Sequence, residues 1–498
     1  MTFVDLFGNS FNAILPELFL ALSISAILVY GVCYSTSINF GLPVIVRVTG
    51  WVSIYTLLLT ILLVLNDPVG PTSLFYNTLV QDYFTCMVKV LLLGATIMCI
   101  LVSFDYIREE KINAFEYSIL ILLAVLGMVL LASSYNLISM YLAIELQSLC
   151  LYVLAAFKKR SAFSTEAGLK YFILGALSSG ILLFGSSLIY GFTGTTSFEE
   201  ISKICTGLSN LGDVSYNGLL IGMCFVAAGT LFKMAAVPFH MWSPDVYEGA
   251  PTVVSTFFAV VPKIALLALF LRLFLFGFYD LVGSWQYIIL LCSFGSMLVG
   301  AFGALQQRKI KRLLAYSSIG HVGYMLVGVA TGTTEGLQGL LVYIILYMVM
   351  SICIWTTVLS LGFQNKVGRV KYLTDFVGLS KINPLLAITI ALTMFSMAGV
   401  PPLAGFFSKL YVFFAAVESS MYLIVIIGVL TSCIGAYYYI RLVKVMFFEK
   451  TNNWTLYNPI DREKSLVLAA TFFVILFFFM YPSPVLIMTH NMALTLCQ

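Results

Sequence analysis

The chain has 498 residues, 61% of them apolar or aromatic and only 10% charged, where a soluble domain carries about 25% charged residues. That composition, with a mean hydropathy of +1.01, excludes a water-soluble globule, because most of the apolar surface must face lipid or other helices. A balance of 26 basic against 22 acidic residues, +4 overall, leaves no basic face for reading nucleic acid.

Apolar stretches long enough to cross roughly 30 Å of hydrocarbon recur along the chain. In order they cover 12–34, 44–65, 84–104, 114–133, 136–157, 165–191, 218–239, 253–276, 285–306, 313–330, 337–361, 383–416, 420–447 and 464–489, about fourteen spans. No alternating strand pattern interrupts them, so the predicted fold class is all-α, a polytopic membrane protein. No basic region precedes the first apolar run, and no cleavable signal peptide is expected.

Sidedness follows from the basic residues. About 18 of them, including Arg108, Lys111, Lys158, Lys159, Arg160, Arg308, Lys309, Lys311, Arg312, Lys366, Arg369, Arg441, Lys450 and Lys464, fall in loops on one side. Lys203 and Arg272 fall on the other. The basic loops are therefore expected to face cytoplasm or matrix, and both termini the opposite side. Inside spans remain Arg47, Lys89, Lys170, Lys233, Lys263 and Lys409.

A charge at membrane depth costs several kcal/mol unless hydrated or paired, which marks these positions as functional candidates. Arg47 and Lys89 read best as snorkelling side chains, and Lys170, nearer its span end, can do the same or take part in function. Glu145 is the carboxylate placed well inside an apolar run, whereas Glu17 sits near the start of the first span. Lys233 is the expected partner of Glu145. Such a pair either moves a proton by opening and closing or is a static ion pair. Lys263, after Pro262, stands midway along the eighth span, and His321 lies among hydroxyls where it relays protons or bonds a neighbouring helix.

Met234-Ala235-Ala236-Val237-Pro238 in the seventh span is echoed by Met397-Ala398-Gly399-Val400-Pro401 in the twelfth. Proline in mid-span removes a backbone donor and breaks or kinks the helix. Spans five apart cross in opposite senses, so the expected organisation is two inverted five-helix repeats with discontinuous helices. The divisions are 1–113, 114–276, 277–447 and 448–498. Lys233 and Lys409 each lie within about two turns of a break. Ten scattered cysteines, three scattered histidines and no nucleotide motif give no expectation of a metal or redox centre in this chain.

The run from Leu231 to Thr252, containing Lys233-Met234-Ala235-Ala236-Val237-Pro238 and Pro244-Asp245-Val246-Tyr247-Glu248-Gly249-Ala250-Pro251-Thr252, resembles the antiporter-like membrane subunits of respiratory complex I, within them the subunit 2 branch. Glu166-Ala167-Gly168-Leu169-Lys170-Tyr171-Phe172, Lys311-Arg312-Leu313-Leu314-Ala315-Tyr316-Ser317-Ser318 and Gly399 to Lys409 are similar to the same family. The resemblance implies proton translocation through Glu145, Lys170, Lys233, Lys263 and Lys409, driven by NADH:ubiquinone electron transfer in other subunits. NADH, FMN, Fe-S clusters and ubiquinone are then expected in those partners, with none bound here. It further implies an obligate hetero-oligomer with other membrane-arm subunits in the lipid bilayer. The mitochondrial inner membrane of plant type is the expected location, a plastid thylakoid or bacterial inner membrane being the others. A cation/proton antiporter subunit outside complex I is the alternative.

Overall fold

The structure is a computed structural model that describes residues 3–35, 42–66, 72–110, 112, 114–207, 214–362, 369–449 and 457–497. Lys111, Lys366 and Lys450 of the basic loops lie outside them. Among the described residues, twelve helices are long and apolar enough to cross a membrane. The two remaining predicted spans each resolve into a pair of shorter helices. Residues 383–416 form Pro384–Ala398 and Ala404–Glu418, parted by Pro401 and Pro402; residues 464–489 form Arg462–Phe477 and Ser483–Cys497, parted at Pro482. Proline has no N–H to continue the ladder, so the pattern breaks where it stands.

The chain folds as two compact units. The first comprises Met1–Met234, Val261–Trp285 and Leu494–Gln498. It contains a short antiparallel hairpin, Thr72–Leu74 with Leu79–Gln81, that the apolar pattern does not predict. Its helices Ala162–Thr193 and Val214–Met234 approach backbone to backbone. A Cβ on Gly185 would lie 2.9 Å from the Gly222 carbonyl oxygen, so small residues are required where the two cross.

The second unit comprises Ala235–Val260 and Gln286–Ala493. Here Ile310–Ala330 and Thr334–Ser360 are buried along most of their lengths, as central helices that touch protein on all sides must be. Gly300 and Gly320 again mark a close crossing, a Cβ on Gly300 falling 2.6 Å from Gly320 Cα.

Both expected breaks are present. The helix Val214–Met234 stops before Ala235, whose φ of +61° is left-handed, and the Val237–Pro238 bond is cis. The helix Pro384–Ala398 starts at an Asn383 cap and ends at Gly399, φ +91°, whose N–H donates to Phe395 and Ser396 carbonyls; the Pro401–Pro402 bond is cis. A hydroxyl closes the second gap: Ser396 accepts the N–H of Gly405 at 3.1 Å.

Candidate functional site

Lys233 occupies the last turn of its half-helix, where the unpaired carbonyls concentrate negative charge and favour a cation. Its ammonium donates to the Tyr152 hydroxyl at 3.0 Å and to Ser179 Oγ at 3.1 Å, and lies 5.5 Å from the Tyr152 ring centre. The expected contact with Glu145 does not form; among the described residues no carboxylate is within ion-pair distance of Lys233. Glu145 lies two turns before Tyr152 on the same helix face, about 10 Å along the axis. Its Oε1 is buried without a hydrogen-bond partner. Tyr152 is fixed by an edge-to-face contact with Tyr171, ring centres 4.7 Å apart. Gly175 leaves it room, because a Cβ there would fall 2.6 Å from Tyr152 Cζ.

In the second unit Lys409 reaches back over the break. Its ammonium donates to the Ala398 carbonyl at 2.9 Å, capping the preceding half-helix, and sits 5.2 Å from the Tyr324 ring centre. His321 is 3% exposed. Its Nδ1 is 2.7 Å from the Tyr343 hydroxyl and its Nε2 3.3 Å from that of Tyr439. Tyr324 hydroxyl meets Thr431 Oγ1 at 3.2 Å. His321, Tyr324, Lys409, Thr431 and Tyr439 line one cavity of about 20 Å³, room for a single water among polar partners. Hydroxyls and imidazole each donate and accept, so this cluster can hand on a proton.

The other predicted positions differ in setting. Lys263 is buried, 6% exposed, in a helix enclosed along its length. Lys170 is half-exposed and paired with Glu166 at 2.8 Å, near the end of its helix as a snorkelling side chain would be. Arg47 is exposed.

Three expectations are corrected. Lys89 does not snorkel: it is 0% exposed and donates to Glu17 Oε1 and Gln81 Oε1, both at 2.5 Å. Arg272 is no loop residue. It is 3% exposed in a π-helical turn, Arg272–Gly277, where it pairs with Asp82 at 2.7 Å between the rings of Phe84 and Tyr135. Lys464 lies buried inside Arg462–Phe477 rather than in a loop. Residues 81 and 82, at the end of the hairpin, thus receive two buried cations. The signal in the sequence was Glu17, a carboxylate among apolar residues, whose partner 72 positions away no periodicity reveals. Arg272 and Asp82 also border a cavity of about 620 Å³ with Glu199 and Tyr135. Burial, and then the Glu199 carboxylate, pushes the Tyr135 hydroxyl up.

No group of three His, Cys, Asp or Glu that could hold a metal occurs among the described residues. What the two lysine sites share is an amine at a broken helix end, part-buried at Lys233 and buried at Lys409, with hydroxyls, ring faces and a carbonyl as partners. That arrangement allows an amine to gain and lose a proton without disrupting a fixed ion pair.

Residues 134–435 match the family model described as NADH:quinone oxidoreductase/Mrp antiporter, TM. The chain is 53% identical over 494 residues to NADH-ubiquinone oxidoreductase chain 2 of Marchantia polymorpha, covering 99% of this chain and 100% of that one. It is 45% identical over 477 residues to NADH-quinone oxidoreductase subunit N of Parvibaculum lavamentivorans, covering 95% of each. A chain in the structure of respiratory complex I from Thermus thermophilus with bound aureothin superposes with a TM-score of 0.79 at 29% identity, covering 95% of this chain and 98% of that one.

Proposed function

The chain belongs to the NADH:quinone oxidoreductase/Mrp antiporter family, and from that membership we propose that it carries protons through Glu145, Lys170, Lys233, Lys263, His321 and Lys409. It is an antiporter-like subunit of the membrane arm of respiratory complex I, a multi-pass protein of a mitochondrial or bacterial inner membrane that works with other membrane-arm subunits. As part of an NADH:ubiquinone reductase it does no redox chemistry itself. NADH, FMN, Fe-S clusters and ubiquinone belong to partner subunits, and their electron transfer supplies the free energy.

Protons enter from the basic side towards Glu145 and Lys233, with Lys170 near the mouth. They continue through Lys263 and His321 and leave near Lys409. Segments 114–276 and 277–447 act as inverted repeats, each contributing one broken helix. The observation that carries this reading is the pair of helix ends at Met234 and Ala398, each holding a lysine amine with neutral partners. The relatives from Marchantia polymorpha and Parvibaculum lavamentivorans support placement in a mitochondrial or bacterial inner membrane.

The test is the complex carrying Lys233→Ala, purified and reconstituted in vesicles. NADH:quinone activity should remain associated with the assembled complex while protons moved per electron fall. An assembled variant with the wild-type ratio overturns the reading.

A further inference from the structure

Two sequence motifs remain without a task, Pro244-Asp245-Val246-Tyr247-Glu248-Gly249-Ala250-Pro251-Thr252 and Lys311-Arg312-Leu313-Leu314. Within the second unit they grip each other. Lys309 pairs with Glu248. Arg312 reaches Asp245 at 3.5 Å and Glu248 at 3.4 Å, and Lys311 Nζ donates to the Ala250 carbonyl at 2.8 Å.

Each helix taken alone has charges that oppose its dipole, although Asp245, in the first turn of Trp242–Gly249, suits it. Ile310–Ala330 begins with Lys309 at its N-cap and Lys311 and Arg312 in its first turn, and that turn has no acid. Those cations sit at the positive end of the helix. Trp242–Gly249 carries Glu248 in its last turn with no base there, an acid at the negative end. The two faults cancel only when these ends meet, carboxylates against the cationic N-terminus. The joined elements are the segment that directly follows the first break and the helix that carries His321 about three turns further on.

We propose that Asp245 and Glu248 are positioning residues: they form an electrostatic clasp that holds the His321 helix in register with the segment following the first break, so that His321 keeps its bonds to Tyr343 and Tyr439. The clasp is half-exposed on the basic side, so added salt weakens it. Its role in pumping rests on the proton-carrying reading above, whereas its existence does not.

The experiment compares assembled complexes carrying Glu248→Gln, Lys309→Glu, and the exchanged pair Glu248→Lys with Lys309→Glu. Hydrogen exchange of the amides of residues 310–321 measures the clasp directly, and proton transfer in vesicles measures its use. Either single change should speed that exchange and slow proton transfer by about two- to fivefold, the size expected of half-exposed ion pairs. The wild type should show the same effect on adding salt, the single variants should show less of that response because Arg312 still reaches Asp245, and the exchanged pair should recover most of both measures. Asp245→Asn, which removes the other carboxylate that Arg312 reaches, should also speed exchange and tests the clasp if Glu248→Gln does not assemble, unchanged exchange there overturning it. Unchanged exchange in Glu248→Gln, or an exchanged pair as impaired as the single variants, overturns the clasp. Altered exchange with unchanged pumping overturns its role in transport and leaves the proton-carrying reading to be judged on Lys233.

Discussion

Lys89 and Lys409 are both sealed from solvent, at 0% and 8% exposure, yet they are solvated in opposite ways. Lys89 has a carboxylate and an amide oxygen at 2.5 Å. Lys409 has one backbone carbonyl and the face of a tyrosine, and among the described residues no carboxylate within ion-pair distance. A full counter-charge in a low-dielectric interior fixes the cation, since removing its proton would strand the anion. Dipoles and a π-face stabilise the same cation less and leave a neutral environment when the proton goes. Burial alone therefore does not mark a proton carrier; the chemistry of the partner does. Lys89 also lies before residues 134–435, the region that matches the family.

The largest effect expected from this contrast is at the fixed pair. Glu17→Gln alone leaves Lys89 buried and uncompensated, which should destabilise the complex by about 3–5 kcal/mol. The intact complex should then be depleted on native gels, and Lys89→Met combined with Glu17→Gln should restore most of it. Full assembly of Glu17→Gln would show that Lys89 is as loosely held as Lys409. Next in size, Lys409→Gln should leave assembly intact and slow proton transfer on the order of 10²-fold, the usual contribution of a positioned acid or base, measured as protons moved into vesicles. Loss of assembly instead would place Lys409 with Lys89 as a structural cation. The smallest effect sharpens the comparison. Tyr324→Leu removes the ring face and should weaken the Lys409 site by about 1 kcal/mol, while Tyr324→Phe keeps the face and should cost less, both read as thermal stability of the purified complex.

Features set by composition and by proline were legible in the sequence. The spans follow from apolar length, and the breaks from Pro238 and Pro401 beside matching runs. Lysines flagged by the cost of burying a charge do sit at those breaks. Pairings between distant helices were not legible, because two facing residues share no spacing along the chain. Lys89 reads as snorkelling from the sequence; its carboxylate partner, Glu17, comes from another helix 72 positions away. Arg272 counts with the basic residues of the side opposite the basic loops although it falls at the end of span 253–276; the helix continues there as a π-turn that buries the guanidinium against Asp82. For Lys233 the opposite charge legible in the sequence is Glu145, whereas two hydroxyls stand nearer. A tyrosine or serine in a membrane helix gives no signal of its own, being common in any such sequence.

The stitch across the second break has a mechanical consequence. Two polar bonds span it, Gly405 N–H to Ser396 Oγ and Lys409 Nζ to the Ala398 carbonyl. The first is insensitive to protonation, but the second is charge-assisted only while the amine carries its extra hydrogen, and charge roughly doubles the strength of such a bond. On the proposed reading, in which Lys409 gives up its proton, one of the two threads slackens and the half-helices gain freedom to flex. Loss of the proton would then soften the joint beside it, making compliance a record of occupancy.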